Sequence, residues 1–243
     1  MLRKFFLTVF IIVAAGVSFA AIKYNPSDTE QWGPVPPLVD APLGAPPSDA
    51  IVLFDGSSLE GWSGRDGQTT AWQIQNNVLA VQPGSGDLLS RQAFCDIQLH
   101  LEWKVPRPNP DASGQKRSNS GVFLQDRYEI QILDSYQNET YVNGQAGAIY
   151  KQSPPLVNAM RPPENWQTYD IIFKAPRFSG DTLITPGYVT ALHNGVLIQH
   201  HTELLGSTVF IGTPSYQSHD CAPIRLQDHR DPVFFRNIWV REL

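Results

Sequence analysis

The chain has 243 residues, of which 42% are hydrophobic and 11% aromatic, and its 23 acidic and 18 basic residues give a net charge of −5. This acidic balance disfavours nucleic acid and anionic membrane surfaces as partners, because both attract basic proteins. It fits neutral polar ligands such as sugars better, since these need flat apolar surfaces and many hydrogen-bonding groups. No protein partner is indicated.

The first 20 residues have the pattern of an export signal. A basic start at Arg3 and Lys4 is followed by an apolar stretch and by a short cleavage region that ends at Ala20. We expect cleavage after Ala20 and a periplasmic or extracellular location. The alternative is an uncleaved membrane anchor, because the apolar stretch continues through Ile22 and approaches the roughly 20 residues that span a bilayer.

Residues 21–50 and 51–243 differ in composition. The first segment is rich in Pro and small residues, which predicts a semi-extended linker. The second consists of short apolar or alternating runs separated by Gly, Pro, Asn and Asp, which is typical of one all-β domain. No long stretch has helical periodicity. The predicted strands are 72–81, 97–105, 121–124, 128–133, 168–174, 188–193, 196–200, 224–227 and 235–241.

Two dipeptides predict tight turns between strands. Asn76-Asn77 and Asn194-Gly195 tolerate the positive φ that a two-residue hairpin turn requires. Many short strands with such turn signals predict an antiparallel sandwich or barrel.

The two cysteines, Cys95 and Cys221, allow two interpretations. An exported protein can join them in a disulfide, or both can remain buried free thiols. The sequence gives no distance between them, so both interpretations stay open. Neither cysteine has a second Cys or His at metal-ligand spacing, and we predict no metal site there.

The predicted strand 128–133 has an apolar face and a polar face. Side chains alternate along an extended strand, so Glu129 and Gln131 share the polar face. A β-bulge near the strand end would bring Asp134 to the same side. This spacing resembles the bulged acidic strand of concanavalin-like glucanases. A solvent-facing strand edge is the alternative, and Asn119 lies just upstream, where a hairpin would bring it beside this strand.

The geometry of that strand limits the glucanase analogy. At ~3.3 Å per residue, the backbones of Glu129 and Asp134 lie roughly 13–16 Å apart. Their carboxyls reach the ~5 Å separation of a retaining pair only if both side chains lean together.

A second polar face is predicted at residues 224–229. Ile224 and Leu226 share one face of this stretch. Arg225, Gln227 and His229 share the other and form what we call the polar row. Arg supplies a fixed fork of donors, Gln a donor and an acceptor, and His a group that titrates near neutral pH. The polar row therefore predicts one wall of a carbohydrate-binding cleft, with an exposed outer strand as the alternative.

Several segments together resemble the 3-keto-disaccharide hydrolase domain family. They are Leu53-Phe54-Asp55-Gly56 with Gly61-Trp62, Ser118 to Leu124, Tyr128 to Asp134, Gly147 to Tyr150, Glu164-Asn165-Trp166, Pro223 to His229 and Phe235 to Ile238. The resemblance covers nearly all of residues 51–243 in order. It implies a concanavalin-like jelly roll of two antiparallel sheets and hydrolysis of glycosides whose sugar carries a ketone at carbon 3.

The chemistry of such a substrate suggests a route by elimination. A ketone at carbon 3 acidifies the hydrogen on carbon 2, so a base can form an enolate that expels the glycosidic oxygen, and water then adds. We assign Glu129 or His229 as the base and Asp134 as the leaving-group acid or orienter. The predicted substrate-binding residues are Asn119, Gln131, Arg225, Gln227 and Arg236. No cofactor is indicated, although a divalent metal that polarises the ketone stays open.

Two other functions compete with this hypothesis. A carbohydrate-binding module of the same fold would rely on exposed aromatic platforms and would tolerate loss of Glu129 and His229. Direct hydrolysis of ordinary glucans would instead require two carboxyls close together.

Overall fold

The computed structural model describes residues 24–243. The predicted export signal, residues 1–20, lies outside the described residues. By its internal contacts the chain divides into two compact units, one ending at Leu38 and the other spanning Val39–Leu243. In its described part, the first unit contains one turn of 3-10 helix, Pro26–Thr29. Between residues 24 and 243, no helix has the length and apolar character needed to cross a membrane.

The second unit is built from short strands, as the alternating sequence predicts. They are β1 Ile51–Phe54, β2 Trp62–Gly64, β3 Gln73–Gln75, β4 Val78–Ala80, β5 Leu88–Phe94, β6 Ile97–Lys104, β7 Ser120–Leu124, β8 Tyr128–Ile132, β9 Gln167–Lys174, β10 Arg177–Ser179, β11 Thr182–Thr185, β12 Tyr188–His193, β13 Val196–Glu203, β14 Ala222–Leu226 and β15 Phe234–Glu242. Two single turns of 3-10 helix, Gly114–Lys116 and Val142–Gly144, lie in the connections.

The strands form two main antiparallel sheets. The larger sheet has the order β13-β12-β9-β6-β15-β4-β3, with β1 also paired to β15. The smaller sheet has the order β2-β5-β14-β7-β8, and β10 pairs with β11 in a separate hairpin. Alternate residues of both sheets meet in one buried core that includes Leu101, Trp103, Tyr169, Ile130 and Leu226. The predicted all-β jelly-roll sandwich of two antiparallel sheets is confirmed.

Both predicted hairpin turns are present. Asn76 and Asn77 have φ of 52° and 62° between β3 and β4, and Asn194 and Gly195 have φ of 54° and 78° between β12 and β13. Five strands, β1, β2, β5, β10 and β11, were not predicted. They are short or lack regular alternation, as in β5, where three consecutive residues in the sequence Arg91-Gln92-Ala93 are exposed.

Cys95 and Cys221 form a disulfide, which decides between the two interpretations of these residues. Their Cα atoms lie 4.8 Å apart, and 126 positions separate them in the sequence. The bond joins the end of β5 to the start of β14, which are neighbours in the smaller sheet.

We expect the double variant Cys95→Ser/Cys221→Ser to unfold more readily than the native chain, by about 2–5 kcal/mol, because the bond constrains a long loop in the unfolded state. Denaturant unfolding would measure this difference, with the native chain under reducing conditions as the matched control. Equal unfolding midpoints for oxidised protein and variant would contradict the expectation.

Candidate active site

Three neighbouring strands of the smaller sheet, β14, β7 and β8, present a cleft on the face opposite the core. Their apolar residues, such as Val122, Ile130 and Leu226, point into the core, so the alternate residues point outward. The cleft has a volume of about 270 Å³. Its lining residues are Asn119, Phe123, Glu129, Gln131, Tyr150, Thr208, Phe210, Arg225, Gln227 and His229.

Glu129 lies on this face, on the edge strand β8, and only 4% of the residue is exposed. Burial raises the pKa of its carboxyl to about 8; the positive charge of Arg225 opposes this shift, and Asp87 adds to it. A carboxyl with this pKa changes its charge close to neutral pH, which is the range a general base or acid uses.

Gly121 on β7 leaves the space in which the Glu129 side chain lies. A Cβ atom at position 121 would come within 2.5 Å of Glu129 Oε1 and within 3.0 Å of Glu129 Cγ. The backbone at Gly121 does not have positive φ, so conformation alone does not require glycine here. Glycine is therefore needed for the position of the carboxyl.

The amide of Gln131 lies beside the same carboxyl. In one orientation its Nε2 donates to Gln115 Oε1 at 3.0 Å. With O and N exchanged, Nε2 donates instead to Glu129 Oε1 at 3.2 Å and to the Ser120 carbonyl at 3.1 Å. The exchanged orientation suits an ionised Glu129, which accepts hydrogen bonds only.

Arg225 is held in place by two carboxylates and an aromatic ring. Its Nη1 donates to Asp87 Oδ2 at 3.0 Å and its Nε donates to Asp126 Oδ1. The guanidinium carbon lies 3.4 Å from the centre of the Phe123 ring. Arg65 contacts both carboxylates at 3.2 Å. The guanidinium is therefore a fixed positive charge in the cleft wall.

The remaining polar residues of the cleft differ in how firmly they are held. Asn119 donates from its backbone N–H to Asp231 at 2.9 Å and from its amide to the Gln115 carbonyl at 3.0 Å. Gln227 Oε1 is buried and has no hydrogen-bond partner within residues 24–243. The side chain of His229 is 53% exposed at the cleft mouth, with Nδ1 3.9 Å from Asp231 Oδ2.

Of the predicted site residues, six line this cleft together: Asn119, Glu129, Gln131, Arg225, Gln227 and His229. Gln227 and His229 lie beyond the end of β14 at Leu226, so the polar row continues from a strand into the following loop. Their individual roles stay predictions.

Asp134 does not reach the cleft, and its predicted position is wrong. β8 ends at Ile132, and the Asp134 carboxylate is fully buried against Arg117, whose Nε donates to it at 2.9 Å. The backbone N–H of Tyr136 donates to its other oxygen at 3.1 Å. The chain turns here without the bulge that would have returned Asp134 to the side of Glu129.

Arg236 lies on β15 in the larger sheet, so its predicted place in this cleft is also wrong. Its Nε donates to Glu102 Oε2 at 2.7 Å, and its guanidinium carbon lies 4.1 Å from the centre of the Trp166 ring. These contacts hold the Arg236 side chain on the surface of the larger sheet.

Tyr150, Thr208 and Phe210 also line the cleft and were not predicted. Because two of these three residues are aromatic, we call the set the aromatic wall. Tyr150 was noted only as part of the Gly147-Ala148-Ile149-Tyr150 segment. Thr208 and Phe210 belong to an irregular loop with no strand pattern, and no local signal in the sequence marks them.

No cluster of three or more His, Cys, Asp or Glu side chains with metal-binding geometry occurs in residues 24–243.

The raised pKa of Glu129 predicts a pH-dependent cost to stability. The unfolded state loses this proton near pH 4.5 and the folded state near pH 8, so folded stability falls as pH rises between these values. Glu129→Gln removes the titration. We expect the free energy of unfolding of the variant, relative to that of the native chain, to increase by up to about 1.4 kcal/mol per pH unit over this window. Denaturant unfolding at pH 5 and pH 8 measures the difference in free energy of unfolding between variant and native chain. The same difference at both pH values would contradict the raised pKa of Glu129.

Gly121→Ala tests the space beside Glu129. The added methyl should push the carboxyl toward the open cleft, where better hydration lowers its pKa and reduces the pH dependence of stability. The same unfolding measurements at pH 5 and pH 8 apply. Gly61→Ala is the matched control, because a Cβ there meets its nearest atom, the Leu53 carbonyl oxygen, at an ordinary 3.5 Å. Native-like pH dependence in Gly121→Ala would refute the positioning role.

Comparisons with known proteins agree with this architecture. A 3-keto-disaccharide hydrolase from Bacteroides thetaiotaomicron is 24% identical across 79% of this chain and 78% of its own length. A solved structure of a candidate glycosyl hydrolase from Parabacteroides distasonis is 47% identical, with a TM-score of 0.86 over 90% of this chain and 97% of that one. A second such structure from the same organism, 18% identical with a TM-score of 0.59, covers 80% of this chain and 94% of its own and shares the fold.

A family model described as the 3-keto-alpha-glucoside-1,2-lyase-like domain matches residues 49–241. This match spans nearly the whole second compact unit, including all the cleft residues. The chain belongs to the family of 3-keto-alpha-glucoside-1,2-lyase-like domains.

Proposed function

We propose that this protein is a glycosidase that hydrolyses glycosides carrying a ketone at carbon 3 of the sugar, through elimination and water addition. Family membership and the likeness to glycosyl hydrolases support a glycosidase-type enzyme. The finer assignment depends on the chemistry of the cleft.

The observation that carries the proposal is that Glu129 is the one carboxylic acid among the cleft-lining residues of the described chain. Direct glycoside hydrolysis uses two carboxyls, ~5 Å apart in retaining and roughly 6.5–9.5 Å apart in inverting enzymes. Asp134, the expected partner, is buried against Arg117. An elimination at a 3-keto sugar needs one base and stabilisation of an enolate, which this cleft supplies.

In the proposed reaction, Glu129 removes the proton from carbon 2, and the electrons of that bond form the enolate with the ketone oxygen. The enolate then expels the oxygen on carbon 1, which leaves a double bond between carbons 1 and 2. Water adds its hydroxyl to carbon 1, its remaining proton neutralises the departed oxygen, and Glu129 returns the first proton to carbon 2. The sum is hydrolysis without a covalent intermediate on the protein.

Arg225 is the group that favours the enolate. Its guanidinium is fixed by Asp87 and Asp126, so it needs no rearrangement as negative charge develops, which is the condition for effective electrostatic stabilisation. Gln227 and Asn119 supply amide groups beside it for the sugar hydroxyls. His229 at the cleft mouth contacts the far side of the sugar rather than acting as the base.

Activity on matched glucosides, with and without prior oxidation at carbon 3, tests the reaction class. We expect turnover of the oxidised series only and a loss of 100-fold or more in Glu129→Gln, since a positioned base contributes about 10²–10⁴-fold. Arg236→Gln is the control, because this residue lies on the other sheet, and it should keep full activity. Cleavage of unoxidised glucosides, or full turnover by Glu129→Gln, would refute the proposal.

The same experiment separates the binding-module alternative. A module of this fold would bind the sugars without releasing product, and Glu129→Gln would bind as tightly as the native protein. One feature disfavours that reading: the carboxyl of Glu129 in the cleft is a buried titratable acid.

A further inference from the structure

The aromatic wall lies on the side of Glu129 opposite to the polar row. β8 pairs with β7, and β7 pairs with β14, which carries Arg225 of the polar row and leads into Gln227 and His229. On the other side of β8, the Glu129 N–H donates to Thr208 Oγ1 at 3.0 Å and its carbonyl accepts from the Tyr150 N–H at 3.1 Å. Across the cleft the order is therefore polar row, Glu129, aromatic wall.

The substrate of the proposed reaction has a matching order. The ketone is on carbon 3, the abstracted proton on carbon 2 and the leaving group on carbon 1. With carbon 2 at Glu129 and the enolate oxygen toward Arg225, carbon 1 and its leaving group face the aromatic wall. This inference rests on the proposed function, because it uses the position of the abstracted proton.

We infer that the aromatic wall is the leaving-group subsite, in which Tyr150 protonates the departing oxygen and Phe210 stacks on a ring-shaped leaving group such as an aryl or cyclic aglycone.

Phe210 has the exposure and the fixation expected of a stacking platform. The residue is 69% exposed. Lys151 Nζ donates to its carbonyl at 2.6 Å and lies 4.1 Å from the centre of its ring. Its loop is tied down by the Thr208 N–H, which donates to the Arg127 carbonyl at 2.9 Å. A large apolar ring held rigidly at the edge of a polar cleft suits a flat apolar surface on the ligand.

Tyr150 lines the cleft and carries an ionisable hydroxyl. Its hydroxyl lies 2.7 Å from the Tyr141 hydroxyl. Burial raises the pKa of Tyr150, so it remains protonated at neutral pH and matches a poor leaving group such as an alkoxide. As the bond between carbon 1 and oxygen breaks, the Tyr150 proton moves to the leaving oxygen. The resulting phenolate, which Tyr141 can stabilise by donating to it, regains a proton from the water that adds to carbon 1.

Three 3-keto glucosides separate the two roles: methyl, cyclohexyl and 4-nitrophenyl. Methyl and cyclohexyl are poor leaving groups that need protonation, while 4-nitrophenolate leaves without it. Cyclohexyl and 4-nitrophenyl present a ring, while methyl does not. The quantity compared is kcat/KM of each variant divided by that of the native protein on the same substrate, which cancels intrinsic differences in leaving-group ability.

For Tyr150→Phe we expect a loss of about 100-fold or more on the methyl and cyclohexyl substrates and less than about 10-fold on the nitrophenyl substrate. For Phe210→Ala we expect a loss of about 5-fold or more on the two ring substrates and little change on the methyl substrate. Ile211→Ala is the control in the same loop, since Ile211 is exposed but does not line the cleft. Thermal unfolding of each variant confirms that it is folded.

The outcomes distinguish this inference from the function on which it depends. Native turnover with equal losses on all three substrates in both variants would overturn the subsite and leave the proposed function intact. A native protein that cleaves none of the three would overturn the proposed function and this inference with it.

Discussion

Burial of the Glu129 carboxyl inside a sheet surface is the constraint on which the rest of the cleft depends. A buried carboxyl is costly when ionised, and the chain offsets that cost in part with the positive charge of Arg225. Arg225 in turn is held by Asp87 and Asp126, which also contact Arg65. The fixed charges around Glu129 therefore come from segments far apart in the sequence, which the smaller sheet brings together.

Strand pairing within the smaller sheet and the buried core hold this arrangement in place. Pairing of β14 with both β5 and β7 fixes the position of Arg225 along its strand relative to Glu129. The disulfide between Cys95 and Cys221 ties the ends of β5 and β14 together. Core residues such as Ile130 and Leu226 are closely packed, so one strand cannot easily slide past another. The outward-facing residues on the same strands are therefore also fixed in register.

Two irregular segments, one containing Tyr150 and the other Thr208 and Phe210, carry the aromatic wall along the edge of the smaller sheet. β8 is the edge strand of the smaller sheet, so its outer backbone groups are free to bind Tyr150 and Thr208 instead of another strand. An unprotected edge strand would invite association with other chains, and covering it with a loop removes that hazard. The segment that contains Thr208 also places Phe210 in the lining of the cleft.

The sequence by itself indicated an antiparallel sandwich or barrel, because side-chain alternation along a strand is a local property with a period of two. It marked both Asn-containing hairpins, because Asn tolerates positive φ, and it singled out the six polar residues that line the cleft. Tertiary structure alone decided the rest. Asp134 and Arg236 are paired with Arg117 and Glu102 instead of lining the cleft, and the disulfide, the charges around Arg225 and the aromatic wall join positions far apart in the chain. No local pattern encodes such contacts, since they depend on which strands become neighbours and on the path of irregular loops.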